Sequence, residues 1–188
     1  MLDKISSNIF YILLAFLPIS FVIGSSVSLT NVIIFDLFFI IFLFYKKEYE
    51  WIKKPIIKIL IIFYFYLIVN TFLSIDGNLG IYRNLGFIRL IILFIGINYF
   101  FYHYKFNKIL LVWTIVILTI VVDVFVEKYF GANILGFGKG NDRVVSFFKD
   151  EAIPGGFIFS FSFILYGFFL SNYKKVSRYT KLFILIFI

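Results

Sequence analysis

Residues 109–129 read ILLVWTIVILTIVVDVFVEKY, and this stretch decides the fold class of the chain. Its first charged residue, Asp123, follows a long run that contains only apolar residues and two threonines. An α-helix needs roughly 20 mostly apolar residues to cross the hydrocarbon of a bilayer. A membrane-spanning strand would instead alternate apolar and polar residues with a period of two, and this run does not alternate. The stretch therefore predicts a transmembrane helix.

Apolar stretches of similar length lie on both sides of this one. A shorter apolar run starts at Leu182 and reaches Ile188, which is too few residues for a crossing and predicts that the chain continues into a further span. We therefore expect an all-α integral membrane protein, with a single membrane domain over residues 1–188. The predicted polytopic helical bundle has six complete transmembrane helices and the start of a seventh, the other complete spans being Ile9–Val27, Leu29–Tyr45, Pro55–Ser74, Leu85–Tyr104 and Pro154–Tyr173.

The composition agrees with a membrane protein and excludes several kinds of site. The chain is 62% hydrophobic with a mean hydropathy of +1.02, which is more apolar surface than a globule of this size can bury. It has no cysteine, so disulfides, thiol catalysis and cysteine-based metal sites are excluded. With His103 as its one histidine, a histidine-based metal site is not expected either.

The positive charges predict the orientation in the membrane. Lysine and arginine concentrate in cytoplasmic loops, so the N-terminus is predicted to be cytoplasmic. The net charge of +8 does not indicate a nucleic-acid partner, because the cations lie between apolar runs and form no basic face. A cleaved signal peptide is the alternative for the first span, but no small-x-small cleavage site follows it. Twelve of the 18 cations fall in predicted inner segments: Lys4, Lys46, Lys47, Lys53, Lys54, Lys58, Lys105, Lys108, Lys174, Lys175, Arg178 and Lys181.

Arginine is distributed differently from lysine. The inner segments hold 11 lysines and one arginine, whereas the outer segments and outer span ends hold three of each, the arginines being Arg83, Arg89 and Arg143. The planar guanidinium binds phosphate or carboxylate through two parallel hydrogen bonds, which lysine cannot do. The difference therefore indicates an anionic ligand at the outer surface, with a chance distribution of four arginines as the alternative.

Three charged residues are predicted to lie within spans, at similar depth from the outer side. They are Asp36, Arg89 and Asp123, and Glu127 shares a helix face with Asp123. Charges inside a membrane usually face the bundle interior, where they are paired or hydrated. We therefore expect a polar layer in which Arg89 pairs with Asp123 or Asp36. A salt bridge that only orients the helices is the alternative.

The outer loop, residues 130–153, is rich in glycine and is predicted to be irregular, with one short extended or helical piece at Val144–Phe148. Asp150 and Glu151 near its end could serve acid–base chemistry or bind a metal, but a solvated loop end is the favoured interpretation. No histidine lies on the outer side, so the chain offers no catalytic set there.

Two sequence patterns resemble those of the O-antigen ligase/polymerase family. Residues 143–155, RVVSFFKDEAIPG, are similar to that family's R-x-S-G-x-F-x-D-E-x-x-x-G, with Ser146 in place of the glycine. Residues 123–136 are similar to D-x-x-x-Q-x-x-x-G-x-D-x-x-G, with Glu127 in place of glutamine and Asn133 in place of aspartate. The arginine-containing segment 83–89, RNLGFIR, also resembles the family's entry to an earlier span.

The resemblance implies a bacterial inner-membrane protein of about twelve spans, of which this chain would be the N-terminal, inactive half. Such proteins act on a glycan carried by undecaprenyl diphosphate in cell-surface polysaccharide biosynthesis, and no cofactor or metal is implied. Their catalytic loop lies in the missing C-terminal half, which would be this chain's partner in addition to membrane lipid. The resemblance implies diphosphate-binding roles for Arg83, Arg89 and Arg143. The polar layer that we expect to support them consists of Asp36, Asp123, Glu127, Asp150 and Glu151.

A polytopic carrier or flippase for a lipid-linked saccharide is the alternative function. It would use the same outer arginines to bind phosphate without catalysing a reaction. A large outer loop with histidine and arginine downstream of Ile188 would favour the enzyme, whereas an inverted repeat of these spans would favour the carrier.

Overall fold

Seven α-helices make up most of the described chain, and no strand occurs among the described residues. The computed structural model describes residues 2–47, 50–74, 77–104, 107–136, 143–148 and 153–171. The all-helical prediction is confirmed for these ranges. The helices are α1 (Leu2–Ile23), α2 (Ser25–Lys46), α3 (Pro55–Leu73), α4 (Gly77–Gly86), α5 (Ile88–Tyr104), α6 (Asn107–Phe130) and α7 (Pro154–Ser171), with short 3-10 helices at Glu50–Lys53 and Ser146–Phe148.

Four helical segments of the described residues are long and apolar enough to cross a membrane. They are Ser25–Lys46, Pro55–Leu73, Gly80–Tyr104 and Lys108–Phe130. Ser7–Ile23 and Pro154–Gly167 are apolar but shorter. The structure thus supports a polytopic helical membrane protein with four such segments. The predicted start of another span at residue 182 lies outside the described residues.

The outer surfaces of these helices are apolar, which is what contact with lipid requires. On α3, for example, Ile62, Phe65 and Phe72 are each more than 60% exposed. Soluble monomers rarely expose continuous apolar surface of this kind, whereas lipid tails solvate it without cost. The exposed faces therefore support the membrane assignment independently of helix length.

The first helix boundary differs from the prediction and changes the position of a charged residue. Gly24, with φ 150°, separates α1 from α2, so α1 ends at Ile23 and α2 already begins at Ser25. Asp36 then has 11 residues of α2 before it and 10 after it. It lies at the middle of this helix, and not near its outer end as the predicted start at Leu29 implied.

The fourth predicted span is two helices. α4 and α5 are separated at Phe87, whose N–H donates to the carbonyl of Asn84 at 3.2 Å. The Asn84 side chain donates to Thr71 Oγ1 at 2.5 Å and to the carbonyl of Leu67 at 3.4 Å, which ties α4 to α3. This side-chain contact explains why the helix begins well before the predicted Leu85.

The chain forms two compact units, Met1–Ile109 and Leu110–Ile188. In the first unit, α1, α2 and α5 pack through aromatic rings, with Phe10 and Phe100 centroids 4.2 Å apart and Phe10 and Phe35 centroids 5.6 Å apart. Gly96 on α5 has no side chain, so α5 approaches the Phe35 ring closely. The buried cluster consists of Phe10, Phe35, Phe39, Phe42, Tyr99 and Phe100.

In the second unit, α6 contacts α7 through aromatic rings, and α7 also contacts the loop that precedes it. Trp113 of α6 is fully buried and meets Phe161 of α7 edge-to-face, with centroids 5.4 Å apart. Phe148 of the loop packs on Phe157 of α7, also at 5.4 Å. The loop is therefore attached by an apolar contact to α7 as well as by the polar contacts described next.

Candidate functional site

Two buried carboxylates lie on one face of α6, near its C-terminal end. Asp123 is 0% exposed and Glu127, one helical turn further on, is 5% exposed. The prediction that they share a face is confirmed. Burying a carboxylate costs free energy unless hydrogen-bond donors surround it. The donors that contact Asp123 and Glu127 therefore indicate the role of the pair.

Glu127 binds the backbone of the loop between α6 and α7. Its Oε1 accepts from the Val145 N–H at 3.0 Å, and its Oε2 accepts from the Val145 N–H at 3.2 Å and the Ser146 N–H at 2.5 Å. Bonds from N–H groups to a carboxylate are stronger than bonds between neutral groups. Glu127 thus fixes two consecutive loop residues to the end of α6.

Asp123 binds the loop at two further points. Its Oδ1 accepts from the Ile134 N–H at 2.9 Å, and its Oδ2 accepts from the Ser146 hydroxyl at 2.6 Å. Ser146 is fully buried and has φ 51°, a left-handed conformation that favours glycine. Its hydroxyl bond to Asp123 offsets the cost of that conformation.

Asn133 joins the two halves of the loop. Its side-chain N–H donates to the Ser146 carbonyl at 2.6 Å, and its Oδ1 accepts from the Leu135 N–H at 3.0 Å. Gly131 ends α6 with φ 76°, and Gly136, with φ 81°, donates to the Asn133 carbonyl at 2.9 Å. Positive φ is available to glycine without strain, so both glycines suit their positions. We call residues 131–136 and 143–148 the anchored loop.

The anchored loop places Arg143 at the surface. Arg143 precedes Val145 by two residues, and Val145 is 1% exposed and bound to Glu127. The Arg143 side chain itself is exposed. A fixed backbone with an exposed guanidinium is an arrangement that can bind an anion with little loss of backbone entropy.

The other two predicted arginines lie in the first unit. Arg83 on α4 and Arg89 on α5 are both exposed and flank the helix break at Phe87. The Arg89 guanidinium extends back along the chain towards Gly86, with Cζ about 4.0 Å from the position that a Cβ of Gly86 would occupy. Both arginines are therefore accessible to an anionic ligand.

The described residues of the predicted polar layer have different partners from those predicted. The Arg89 guanidinium lies within electrostatic range of Asp36. Within the described chain, however, Asp36 accepts no hydrogen bond, so the predicted ion pair between them is absent. Asp123, the other predicted partner, uses both oxygens to bind the loop.

In the described residues the acidic pair serves to hold the loop. Asp123 and Glu127 are occupied as hydrogen-bond acceptors, and the ranges described contain no group of three or more histidine, cysteine, aspartate or glutamate side chains that could hold a metal. Asp150 and Glu151, predicted as part of the polar layer, lie outside the described residues. The predicted piece at Val144–Phe148 contains the 3-10 helix Ser146–Phe148.

Sequence reasoning did not identify the backbone of Val145 and Ser146 as the ligand of the acidic pair. A usable signal was present, because two carboxylates one turn apart at the end of an apolar helix are followed directly by Gly131 and Asn133. Buried carboxylates at such a position need N–H donors, and the nearest backbone is the loop itself. Comparison of the chain with protein-family models, curated proteins and solved structures finds no match.

Proposed function

We propose that this chain belongs to a bacterial inner-membrane protein of the O-antigen ligase/polymerase type, which acts on undecaprenyl-diphosphate-linked glycan. In this proposal the chain crosses the membrane six times and enters a seventh span, with its N-terminus in the cytoplasm. The anchored loop then faces away from the cytosol, where Arg143 meets the diphosphate of the lipid carrier. Arg83 and Arg89 bind the same class of anion on the outer side.

The anchored loop is the observation that carries this proposal. The two sequence patterns that suggested the family are separated along the chain, yet their described members form one hydrogen-bonded unit. Asp123 and Glu127 from the first pattern bind Ser146 from the second. Ser146, which stands where the family pattern has glycine, also has the left-handed φ that glycine favours. Both features support the resemblance.

A carrier for a lipid-linked saccharide is the second candidate function. The observation that favours it is Asp36, a buried carboxyl at the middle of an apolar helix. Ionisable residues inside membrane spans are typical of transport pathways. Both candidates require the outer arginines to bind a lipid diphosphate, so one binding experiment tests what they share.

Replacing Arg143 with glutamine is expected to weaken the binding of undecaprenyl diphosphate by about ten- to a hundredfold, because a charge-assisted hydrogen bond contributes about 1.5–3 kcal/mol. The purified chain in lipid nanodiscs is titrated with undecaprenyl diphosphate, and the bound fraction is followed by native mass spectrometry. Glutamine keeps the length and polarity of the side chain while removing the charge.

Lys128→Gln is the matched control, since Lys128 is an exposed cation near the C-terminal end of α6 and is not part of the anchored loop. It removes the same unit of charge and should leave the affinity unchanged. Equal affinities for Arg143→Gln and the unmodified chain would contradict the proposed role of Arg143. Equal losses in both variants would show that net charge alone attracts the lipid.

A further inference from the structure

Asp36 is a buried carboxyl without a hydrogen-bond partner. It is 5% exposed, and neither oxygen has a donor within the part of the chain that the structure describes. It lies at the middle of α2, about 15 Å from either end of that helix. Asp123 and Glu127 are buried to the same degree but are surrounded by donors. The burial of Asp36 must therefore be stabilised in a different way from that of Asp123 and Glu127.

Leaving a carboxylate ionised in such a place costs far more than one salt bridge or hydrogen bond returns. Two ways to remove this cost are a bound cation and a bound proton. A metal cation needs several oxygen ligands around it, and the described residues contain no cluster of acidic side chains that includes Asp36. A proton needs only one carboxyl oxygen.

The charged and titratable groups near Asp36 come from its own helix and from the helices packed against it. α2 packs against α1 and α5. The charged or titratable side chains of α1 are Asp3, Lys4 and Tyr11, and those of α5 are Arg89, His103 and tyrosines 99, 102 and 104. Among the side chains that the structure describes, Arg89 lies within electrostatic range of Asp36, and its guanidinium is exposed and turned towards Gly86. Arg89 therefore acts on an ionised Asp36 without a direct hydrogen bond.

We propose that Asp36 is an intramembrane proton-binding site, occupied by a proton in the arrangement described here. Loss of that proton leaves a negative charge at the middle of a span, and Arg89 is the group that balances it. Binding and release of the proton change the charge inside the membrane by one unit. This change is the elementary step through which membrane proteins respond to a proton gradient. The site does not depend on the identity of the lipid ligand.

The direct test is infrared spectroscopy of the chain in lipid, recorded at a series of pH values in H₂O and D₂O. A protonated carboxyl group has a C=O stretching band that is separate from the carboxylate bands and shifts on deuteration. We expect such a band at neutral pH, lost in Asp36→Asn, which has nearly the same shape as the neutral acid. Asp36→Asn should also unfold at the same temperature as the unmodified chain.

Two charge variants add a second readout. Neither Arg89→Gln nor Arg83→Gln, each of which removes an exposed arginine, should abolish the band at neutral pH, because neither arginine is needed for the carboxyl to keep its proton. The proposal is overturned if the unmodified chain shows no protonated band at neutral pH. It is also overturned if the band persists unchanged in Asp36→Asn, because another carboxyl group would then carry the proton.

Discussion

Replacing Glu127 with alanine is expected to release the anchored loop from the end of α6. The substitution removes the acceptor for the N–H groups of Val145 and Ser146, both of which are buried, and each unsatisfied donor costs about 1–3 kcal/mol. We expect a loss of about 3 kcal/mol in the free energy of unfolding of the second unit. Thermal unfolding in detergent measures the loss, and limited proteolysis should show new cleavage between residues 131 and 148.

Glu127→Gln is the informative partner of this variant. A glutamine carbonyl placed where Oε2 lies can accept from both N–H groups, so we expect a loss of only about 1 kcal/mol. Glutamine is also the usual residue in the family pattern that this segment resembles. Lys128→Ala, at an exposed neighbouring position, serves as the neutral control. Equal stability of Glu127→Ala and Lys128→Ala would show that the carboxylate does not hold the loop.

A side chain at Gly96 is expected to separate α5 from α2. A Cβ at this position would lie 2.5 Å from Cε1 and 2.7 Å from Cζ of Phe35, closer than real contacts allow. Phe35 is 1% exposed and packs against Phe10 and Phe39, so its ring has little room to move. Gly96→Ala should therefore cost about 1–3 kcal/mol, and Gly96→Leu more, in thermal unfolding of the first unit.

Gly167→Ala on α7 is the matched control, because no atom lies within 4 Å of the point that its Cβ would occupy and alanine favours helix. That variant should be neutral or more stable by up to about 1 kcal/mol. Shortening the opposing ring with Phe35→Leu should recover part of the stability lost in Gly96→Ala, as expected for residues in contact. An unchanged unfolding temperature for Gly96→Ala would contradict the close packing of α5 on α2.

The apolar runs predicted that these segments are helices and approximately where they lie, because insertion into lipid depends on the composition of a segment more than on specific side-chain contacts. Pro55 and Pro154, predicted at span starts, are the first residues of α3 and α7. The start of α2 was misplaced because a continuous apolar pattern conceals the break at Gly24, and Asp36 moved to mid-helix as a result. The break at Phe87 depends on Asn84 binding Thr71, a contact between helices that periodicity does not reveal.

The candidate site was predicted in part. The spacing of Asp123 and Glu127 correctly predicted that they share one helix face. Arg89 was predicted as a partner because a charged side chain can be recognised in the sequence. The actual partners of both acids include backbone N–H groups, which every residue except proline carries and which no sequence pattern marks. The left-handed conformation of Ser146 was not predicted either, although the family pattern has glycine at this position.

The central claim is that the anchored loop and Arg143 face away from the cytosol. Since the chain has no cysteine, single cysteines can be introduced at Leu135, which is 63% exposed in the loop, and at Lys53, which is exposed before α3. Both variants are labelled in intact spheroplasts with a maleimide that does not cross membranes. The account predicts that Leu135→Cys is labelled at once and Lys53→Cys only after lysis; the reverse pattern would contradict it.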